Sequence, residues 1–256
     1  MKQLQMIQKT KELAETDAKI SSVFMYGSFT KDEGDQYSDI EFYIFLNDKT
    51  NFSATNWVSQ IHPLALYFTN EHGSEVAIFE NLIRGEFHFL ETGEINVIKS
   101  WDGLVTFSEF EKMILVDKDG LLSDTLAKIE NKDPERATNE SINWLSKSLI
   151  NVLLTTSNLI KREEFAHAYQ SLHTAQKYLL WLIRIETKHT EHWESPTKNL
   201  ENDIDHSWYL EYQQITCELD ENKIKNAFKK SLELSKRLLK NLNAEPKTIK
   251  LIERIK

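Results

Sequence analysis

Two nearby stretches decide the fold of this chain, and they read MYGSFT over residues 25–30 and SDIEFYIF over residues 38–45. The first stretch ends an apolar run with Gly27-Ser28, and the second alternates acidic or polar residues with apolar ones. Successive side chains of a strand point to opposite faces, so Asp39 and Glu41 should share one face. The pattern predicts a strand, a tight turn, and a second strand that carries paired acids.

The turn and the paired acids together suggest a site for a magnesium–nucleotide complex. A glycine lets the backbone approach a ligand closely, and the N–H groups and hydroxyl of Gly27-Ser28 can converge on phosphate oxygens. Asp39 and Glu41 carry like charges that a cation would stabilise, and Mg²⁺ typically takes one or two carboxylates from a protein. Either feature alone has a plain alternative, an ordinary turn or a solvent-facing strand surface. Their short separation favours the functional interpretation.

The organisation of the rest of the chain predicts an α+β domain followed by a helical one. The first half contains short runs rich in β-branched and aromatic residues. These candidate strands are residues 22–26, 40–46, 64–69, 76–79 and 86–89. From about residue 139 apolar residues recur at helical spacing, and a polar, proline-containing segment precedes them. We therefore predict one domain over residues 1–130 and a helical bundle over residues 131–256.

Composition narrows the possible functions. With 31 Lys+Arg against 40 Asp+Glu the net charge is -9, which disfavours nucleic acid as a partner. The single cysteine excludes an internal disulfide, no apolar run is long enough for a bilayer span, and the N-terminus lacks a signal-peptide pattern. These features lead us to expect a soluble, cytoplasmic protein without a membrane partner.

A further stretch, NLIRGEFHF over residues 81–89, completes a resemblance to a known family. Apolar-Gly-Ser, a loop of about ten residues and Asp-apolar-Glu resemble the signature of polymerase-β-like nucleotidyltransferases. With residues 81–89 included, the N-terminal half is similar to the lincosamide nucleotidyltransferases of antibiotic-resistant bacteria. The helical half matches that family only in its general layout.

The resemblance implies an N-terminal polymerase-β-like domain with a mixed sheet, and a resistance enzyme. Such an enzyme transfers a nucleoside monophosphate from an NTP, most often ATP, to a hydroxyl of lincomycin or clindamycin and releases pyrophosphate. It implies that Asp39 and Glu41 hold Mg²⁺ and that Glu86 is the catalytic base. It also implies a homodimer with the drug bound near the subunit interface. Because ligand sites often lie between domains, we expect the site in the cleft between the two halves, completed by a second subunit.

The residues themselves leave several candidates for the third acid: Glu75, Glu80, Glu86 and Glu91. Glu86 precedes an apolar–polar alternation and can face the same way as His88, with aromatic residues directed inward. Glu75 follows a polar stretch and is expected at the end of a loop as a solvated acid. The pattern thus favours Glu86.

Four further residues complete the predicted site. Arg84 could clamp a phosphate oxygen with its guanidinium fork, and Lys31 could approach phosphate from the loop after Ser28. Tyr43 shares the face of the paired acids and could contact the acceptor, as could His88. The plain alternatives are a structural or solvated cation and a half-buried strand aromatic. Histidines 167, 173 and 192 lack metal-site spacing and are expected on the surface or in packing.

Three other functions stay open on the sequence. The acceptor could be an aminoglycoside, because both antibiotic classes carry amines and hydroxyls. A toxin–antitoxin-type minimal nucleotidyltransferase that modifies a protein would share the motif, although its catalytic domain is normally a separate short chain. A non-catalytic nucleotide-binding protein becomes plausible if Asp39 and Glu41 face away from Ser28.

Overall fold

A computed structural model describes residues 1–255 of the chain. It divides into two compact units, the first from Met1 to Pro134 and the second beginning at Glu135. The first unit contains a sheet with helices, and the second is helical. The chain is therefore α+β, with a mixed six-stranded sheet followed by a helical region, as the sequence predicted.

The sheet of the first unit has six strands in the order β3-β4-β5-β2-β1-β6. Their bounds are β1 Ile20–Tyr26, β2 Ile40–Leu46, β3 Leu64–Thr69, β4 Glu75–Phe79, β5 Arg84–Glu91 and β6 Ile114–Asp117. β2 and β5 run parallel, whereas the pairs β1–β2, β1–β6, β3–β4 and β4–β5 are antiparallel. The sequence did not predict β6, a short edge strand whose four residues ILVD have no polar–apolar alternation.

The two faces of this sheet are covered differently. The helices of the first unit are α1 Lys2–Thr16, α2 Ala54–Val58, α3 Phe110–Met113 and α4 Leu121–Leu126. α1 and α2 pack on the face of Ile40 and Phe42. On the other face, the 3-10 segment Thr92–Trp101 and α4 cover Phe24 and Phe45. The opposite end of that second face carries polar residues, and the candidate site lies there.

Up to residue 255, the second unit buries its own core among six helices. They are α5 Asn139–Lys161, α6 Phe165–Thr187, α7 Leu200–Asp203, α8 His206–Gln214, α9 Glu221–Asn241 and α10 Pro246–Ile252. Leucines at helical spacing, such as Leu145 and Leu149, fill the interior. Side chains of Thr138 and Asp220 cap α5 and α9 by accepting from backbone N–H groups. Within residues 1–255, no helix is long and apolar enough to cross a membrane.

A buried arginine anchors the loop after α6. Arg184 is fully buried, and its guanidinium contacts Asp203 Oδ2 at 3.0 Å. It also donates to the carbonyl oxygens of Pro196, His189 and Lys198. The His192 Nδ1 atom lies 2.7 Å from the same Asp203 oxygen, so this histidine is a buried packing residue.

Candidate functional site

The turn after β1 is shaped by Gly27 and the carboxylate of Glu41. Gly27 has φ +81°, a conformation that favours glycine, and a Cβ at this position would overlap the Glu41 carboxylate. The following residues, Ser28–Thr30, form one 3-10 turn, which the Thr30 hydroxyl closes by donating to the Gly27 carbonyl at 2.8 Å. The glycine therefore brings one predicted metal ligand directly against the predicted phosphate loop.

Strand register brings the acids of the motif onto one face. Glu41 of β2 lies opposite Tyr26 of β1 and opposite Glu86 of β5. Tyr43 lies opposite His88 in the same way. Residues directly opposite each other on neighbouring strands share a face. Glu41, Tyr43, Glu86 and His88 thus lie on one face, on the same side of the sheet as the residue before β2, Asp39.

Arg84 joins two of the predicted site acids. Its Nη1 lies 2.6 Å from Asp39 Oδ2, and its Nη2 lies 2.6 Å from Glu86 Oε2. Burial lowers the pKa of Arg84, but its hydrogen bonds and charge interactions with Glu86 and Asp39 raise it above the usual value overall. The guanidinium is a permanent cation that neutralises one carboxylate directly before β2 and one on β5.

Glu86 is held in its ionised form. Burial raises the pKa of Glu86, yet hydrogen bonds from Ser74 and Arg84, together with the charge of Arg84, outweigh burial and lower it. The carboxylate can therefore accept a proton near neutral pH, but Arg84 makes it a weak base while the ion pair persists. Ser74, which the sequence did not single out, lies two residues before Val76, the β4 residue opposite Glu86.

An aromatic cluster lies beside the acids. The His88 and Tyr43 rings stack at 4.2 Å with an angle of 8° between their planes, and Tyr26 Oη lies 3.0 Å from His88 Nε2. Burial lowers the pKa of His88 despite the opposing charge of Glu86, which favours the neutral imidazole. Burial and the charges of Glu86 and Glu41 raise the pKa of Tyr26, so its phenol stays protonated.

The donor set of this site suits a magnesium ion only as a two-carboxylate site. Among residues 1–255, no group of three or more His, Cys, Asp or Glu side chains could hold a metal. Mg²⁺ typically takes one or two carboxylates and fills its other positions with water and phosphate oxygens. Asp39 and Glu41 fit that requirement, because both offer hard carboxylate oxygens: Glu41 lies against Gly27, and Arg84 contacts one Asp39 oxygen, Oδ2.

The remaining predicted residues occupy different places. Glu75 begins β4 instead of ending a loop, pairs with Phe87 on the core face of the sheet, and accepts from the Tyr67 hydroxyl. The expectation of a loop-end acid was wrong at this position, because the strand starts one residue earlier than the pattern suggested. Glu80 lies in the exposed turn after β4, and Glu91 takes part in the cap of the 3-10 segment. Lys31 ends the 3-10 turn and is half-exposed.

The helical unit matches a known domain family. Residues 138–255 match the family model described as lincosamide nucleotidyltransferase-like, C-terminal domain. This match confirms the resemblance to lincosamide nucleotidyltransferases, and it does so in the half of the chain where the sequence motifs were least specific. The motifs of the turn and the paired acids lie in the other half. The two observations therefore support the same family from separate segments.

Solved structures give a weaker likeness. One is an aminoglycoside 6-adenyltransferase from Bacillus subtilis, at 14% identity and a TM-score of 0.43 over 98% of this chain and 95% of that one. Another is a nucleotidyltransferase-like protein from Exiguobacterium sibiricum, at 16% identity and a TM-score of 0.41 over 93% and 77%. Agreement at this level carries no argument about function. Among curated proteins, no sequence matches the chain significantly.

Proposed function

We propose that this protein is an antibiotic-modifying nucleotidyltransferase that transfers a nucleoside monophosphate from an NTP to a hydroxyl of a lincosamide. One observation carries the proposal: a glycine turn lies against Glu41, and Glu41 lies opposite Glu86 across a parallel strand pair. The arrangement supports the proposal because the glycine turn and the carboxylates of Asp39, Glu41 and Glu86 lie at one face of the sheet, where such groups can bind a nucleotide and take up a proton. The family match of residues 138–255 supports the choice of antibiotic-modifying chemistry.

In this mechanism the residues of the turn and of β2 bind the donor nucleotide. Backbone N–H groups near Gly27 and the Ser28 hydroxyl orient the distal phosphates. Asp39 and Glu41 would hold Mg²⁺, which would neutralise charge on the phosphates and on the leaving pyrophosphate. Lys31, at the end of the turn, adds positive charge near the phosphates. ATP is the donor that we propose to test first.

Glu86 then accepts the proton of the acceptor hydroxyl as that oxygen attacks the α-phosphorus. For this role Arg84 has to give up its ion pair with Glu86, because the pair lowers the basicity of the carboxylate. Phosphate oxygens are strong bidentate partners for a guanidinium, so a bound triphosphate offers Arg84 an alternative to the two acids. Tyr43 and His88 form an aromatic wall beside Glu86 that can hold the acceptor.

A transfer assay tests the proposal. Purified protein is incubated with Mg²⁺ and each NTP in turn, together with lincomycin, clindamycin or an aminoglycoside such as kanamycin. We expect mass spectrometry to show one added nucleoside monophosphate on a lincosamide and released pyrophosphate in equal amount. If only kanamycin is modified, the acceptor is an aminoglycoside and the lincosamide proposal is wrong.

Two controls examine the rest of the proposal. Excess chelator should abolish transfer, because carboxylates cannot receive a triphosphate without a cation. Transfer that persists in chelator would refute the role of Mg²⁺. We also propose that the protein is a homodimer and that its acceptor is a small molecule. Sedimentation of the purified protein measures the oligomeric state directly.

A further inference from the structure

The site face of the sheet changes character from its middle to its β3 edge. Leu66 and Phe68 point to the same face as Glu86, because Phe68 lies opposite Val76 and Val76 lies opposite Glu86. Leu66 lies opposite Ile78, which in turn lies opposite Arg84. Across this face, the charged side chains of β2 and β5 thus have apolar side chains of β4 and β3 as their neighbours.

We call Leu66, Phe68 and Ile78 the apolar shelf. Leu66 is 52% exposed and Phe68 is 42% exposed, whereas Ile78 is half-buried. Val76 is buried between Phe68 and Glu86. Neighbouring strands are about 4.8 Å apart, so Phe68 lies about 10 Å from the row of Glu86. Large exposed apolar side chains grouped next to a polar site are typical of a binding surface.

The direction of the proposed reaction decides which substrate the shelf can contact. In-line displacement requires the attacking hydroxyl and the leaving pyrophosphate on opposite sides of the phosphorus. The proposed phosphate-binding turn follows β1, Asp39 directly precedes β2, Glu41 lies in β2, and Glu86 lies in β5. The pyrophosphate therefore leaves toward β1, and the acceptor approaches from β4 and β3. The donor nucleotide takes the charged side of Glu86 and leaves the shelf to the acceptor.

From this placement we infer that the apolar shelf binds the non-reacting part of the acceptor, and that the acceptor carries an apolar face and little positive charge. The inference rests on the proposed function. The three shelf side chains are uncharged, so they gain free energy by covering alkyl or ring surface and offer nothing to an ammonium group. A polycationic acceptor would need carboxylates where the shelf has leucine and phenylalanine.

Two substitutions test the shelf against a matched control. Leu66→Asp and Phe68→Asp place a charge on the shelf, while Leu4→Asp does the same on α1 at a residue that is also 52% exposed. Clindamycin, with one amine and alkyl surface, is the apolar probe, and kanamycin is the polycationic probe. Phe68→Leu keeps the surface apolar and should preserve binding.

The expected result is a selective loss of acceptor binding. In both aspartate variants KM and Kd for clindamycin should rise about tenfold, the effect of losing roughly half the burial free energy of one large side chain. The KM for ATP should stay unchanged, and binding of kanamycin should improve relative to clindamycin. Leu4→Asp should behave as the wild-type protein. Unchanged clindamycin affinity in both variants would overturn the inference.

Calorimetry separates failure of the shelf from failure of the proposed function. If the wild-type protein transfers no nucleotide to any acceptor, the proposed function fails, while clindamycin binding to wild type and Leu66→Asp still tests the shelf. An exposed edge strand can also pair with a second copy of the same chain, and sedimentation tests whether the shelf is such a subunit contact. If Leu66→Asp converts a dimer into monomers, the shelf is a subunit contact and the inference is wrong.

Discussion

Two arginines, one in each unit, are held by carboxylates in opposite settings. Arg184 is fully buried, and one carboxylate and three backbone carbonyl oxygens surround it. The Arg84 side chain is 38% exposed and bridges two carboxylates on the sheet face. A buried ion loses much free energy when its partners leave, whereas a half-exposed one can exchange partners with water or ligand. Arg184 therefore has a setting that holds its partners in place, whereas the setting of Arg84 allows its partners to be exchanged.

The largest effect should come from breaking the buried cluster. Arg184→Met leaves Asp203 without its cation and several carbonyl oxygens without a donor, so we expect a loss of about 3–5 kcal/mol in the free energy of unfolding. Urea unfolding followed by tryptophan fluorescence measures the change. A loss below about 1 kcal/mol would show that the cluster resembles an exposed ion pair.

The next effect concerns the carboxylate that Arg84 contacts. Glu86→Gln keeps the shape and hydrogen-bonding reach of the side chain but removes its basicity, so kcat should fall by roughly 10²–10⁴ with little change in either substrate affinity. Steady-state kinetics and nucleotide binding give the two readouts. Glu75→Gln is the control, because Glu75 lies on the opposite face and should leave kcat near the wild-type value.

If this variant instead loses Mg²⁺-dependent NTP binding, Glu86 is a metal ligand. An unchanged kcat would place the base elsewhere on the sheet face. With either result, the ion pair of Arg84 with Glu86 would no longer involve the catalytic base.

Arg84 itself should show the reverse of the Arg184 behaviour. Arg84→Met removes the two partly exposed ion pairs with Asp39 and Glu86, so the stability of the first unit should change by less than about 1 kcal/mol. The KM for ATP should rise about tenfold to a hundredfold, because a charged hydrogen-bond donor to phosphate is lost. Arg84→Lys, which keeps the charge without the fork, should give an intermediate KM. An unchanged KM in both variants would assign Arg84 a purely structural role.

The smallest effect should appear in acid. Burial raises the pKa of Asp203, but hydrogen bonds from His192 and Arg184 outweigh it and lower the pKa below the usual value. The native state thus binds this proton less readily than the unfolded state does. Its contribution to stability is present above an unfolded pKa of about 3.9 and is lost as pH falls through the lower native value.

The measurement is the urea midpoint of the helical unit between neutral pH and strong acid, in wild type and in Asp203→Asn. The wild-type midpoint should fall more steeply in the acidic range than that of the variant. Parallel curves would mean that protonation of Asp203 does not affect stability.

The sequence predicted those parts of the site that depend on local periodicity. The shared face of Glu41 and Tyr43 follows from the period of a strand, and β2 and β3 match their predicted ranges. The bridge of Arg84 to Asp39 was not predicted, because it depends on the pairing of two strands distant in the chain. The predicted environment of Glu75 was wrong for a similar reason, since only the pairing of β4 with β5 decides which face of the sheet Glu75 lies on.

The helical unit shows the same limit. Apolar spacing predicted its long helices, but a charged arginine inside the core was not apparent from any local pattern. Arg184 can be buried because carbonyl oxygens of the loop after α6 accept its hydrogen bonds. The conformation of that loop depends on tertiary packing.

The parallel pairing of β2 and β5 also has a consequence for how the site forms. Parallel neighbours need a crossover connection, and here the crossover includes α2 and the β3–β4 hairpin. Asp39 and Arg84, 45 residues apart, meet only after this whole segment has closed. Closing such a loop costs chain entropy before the ion pairs can return any free energy. A chain in which β5 has not yet paired can therefore already hold Glu41 against the Gly27 turn through the β1–β2 hairpin, but it has neither Arg84 nor Glu86 beside them.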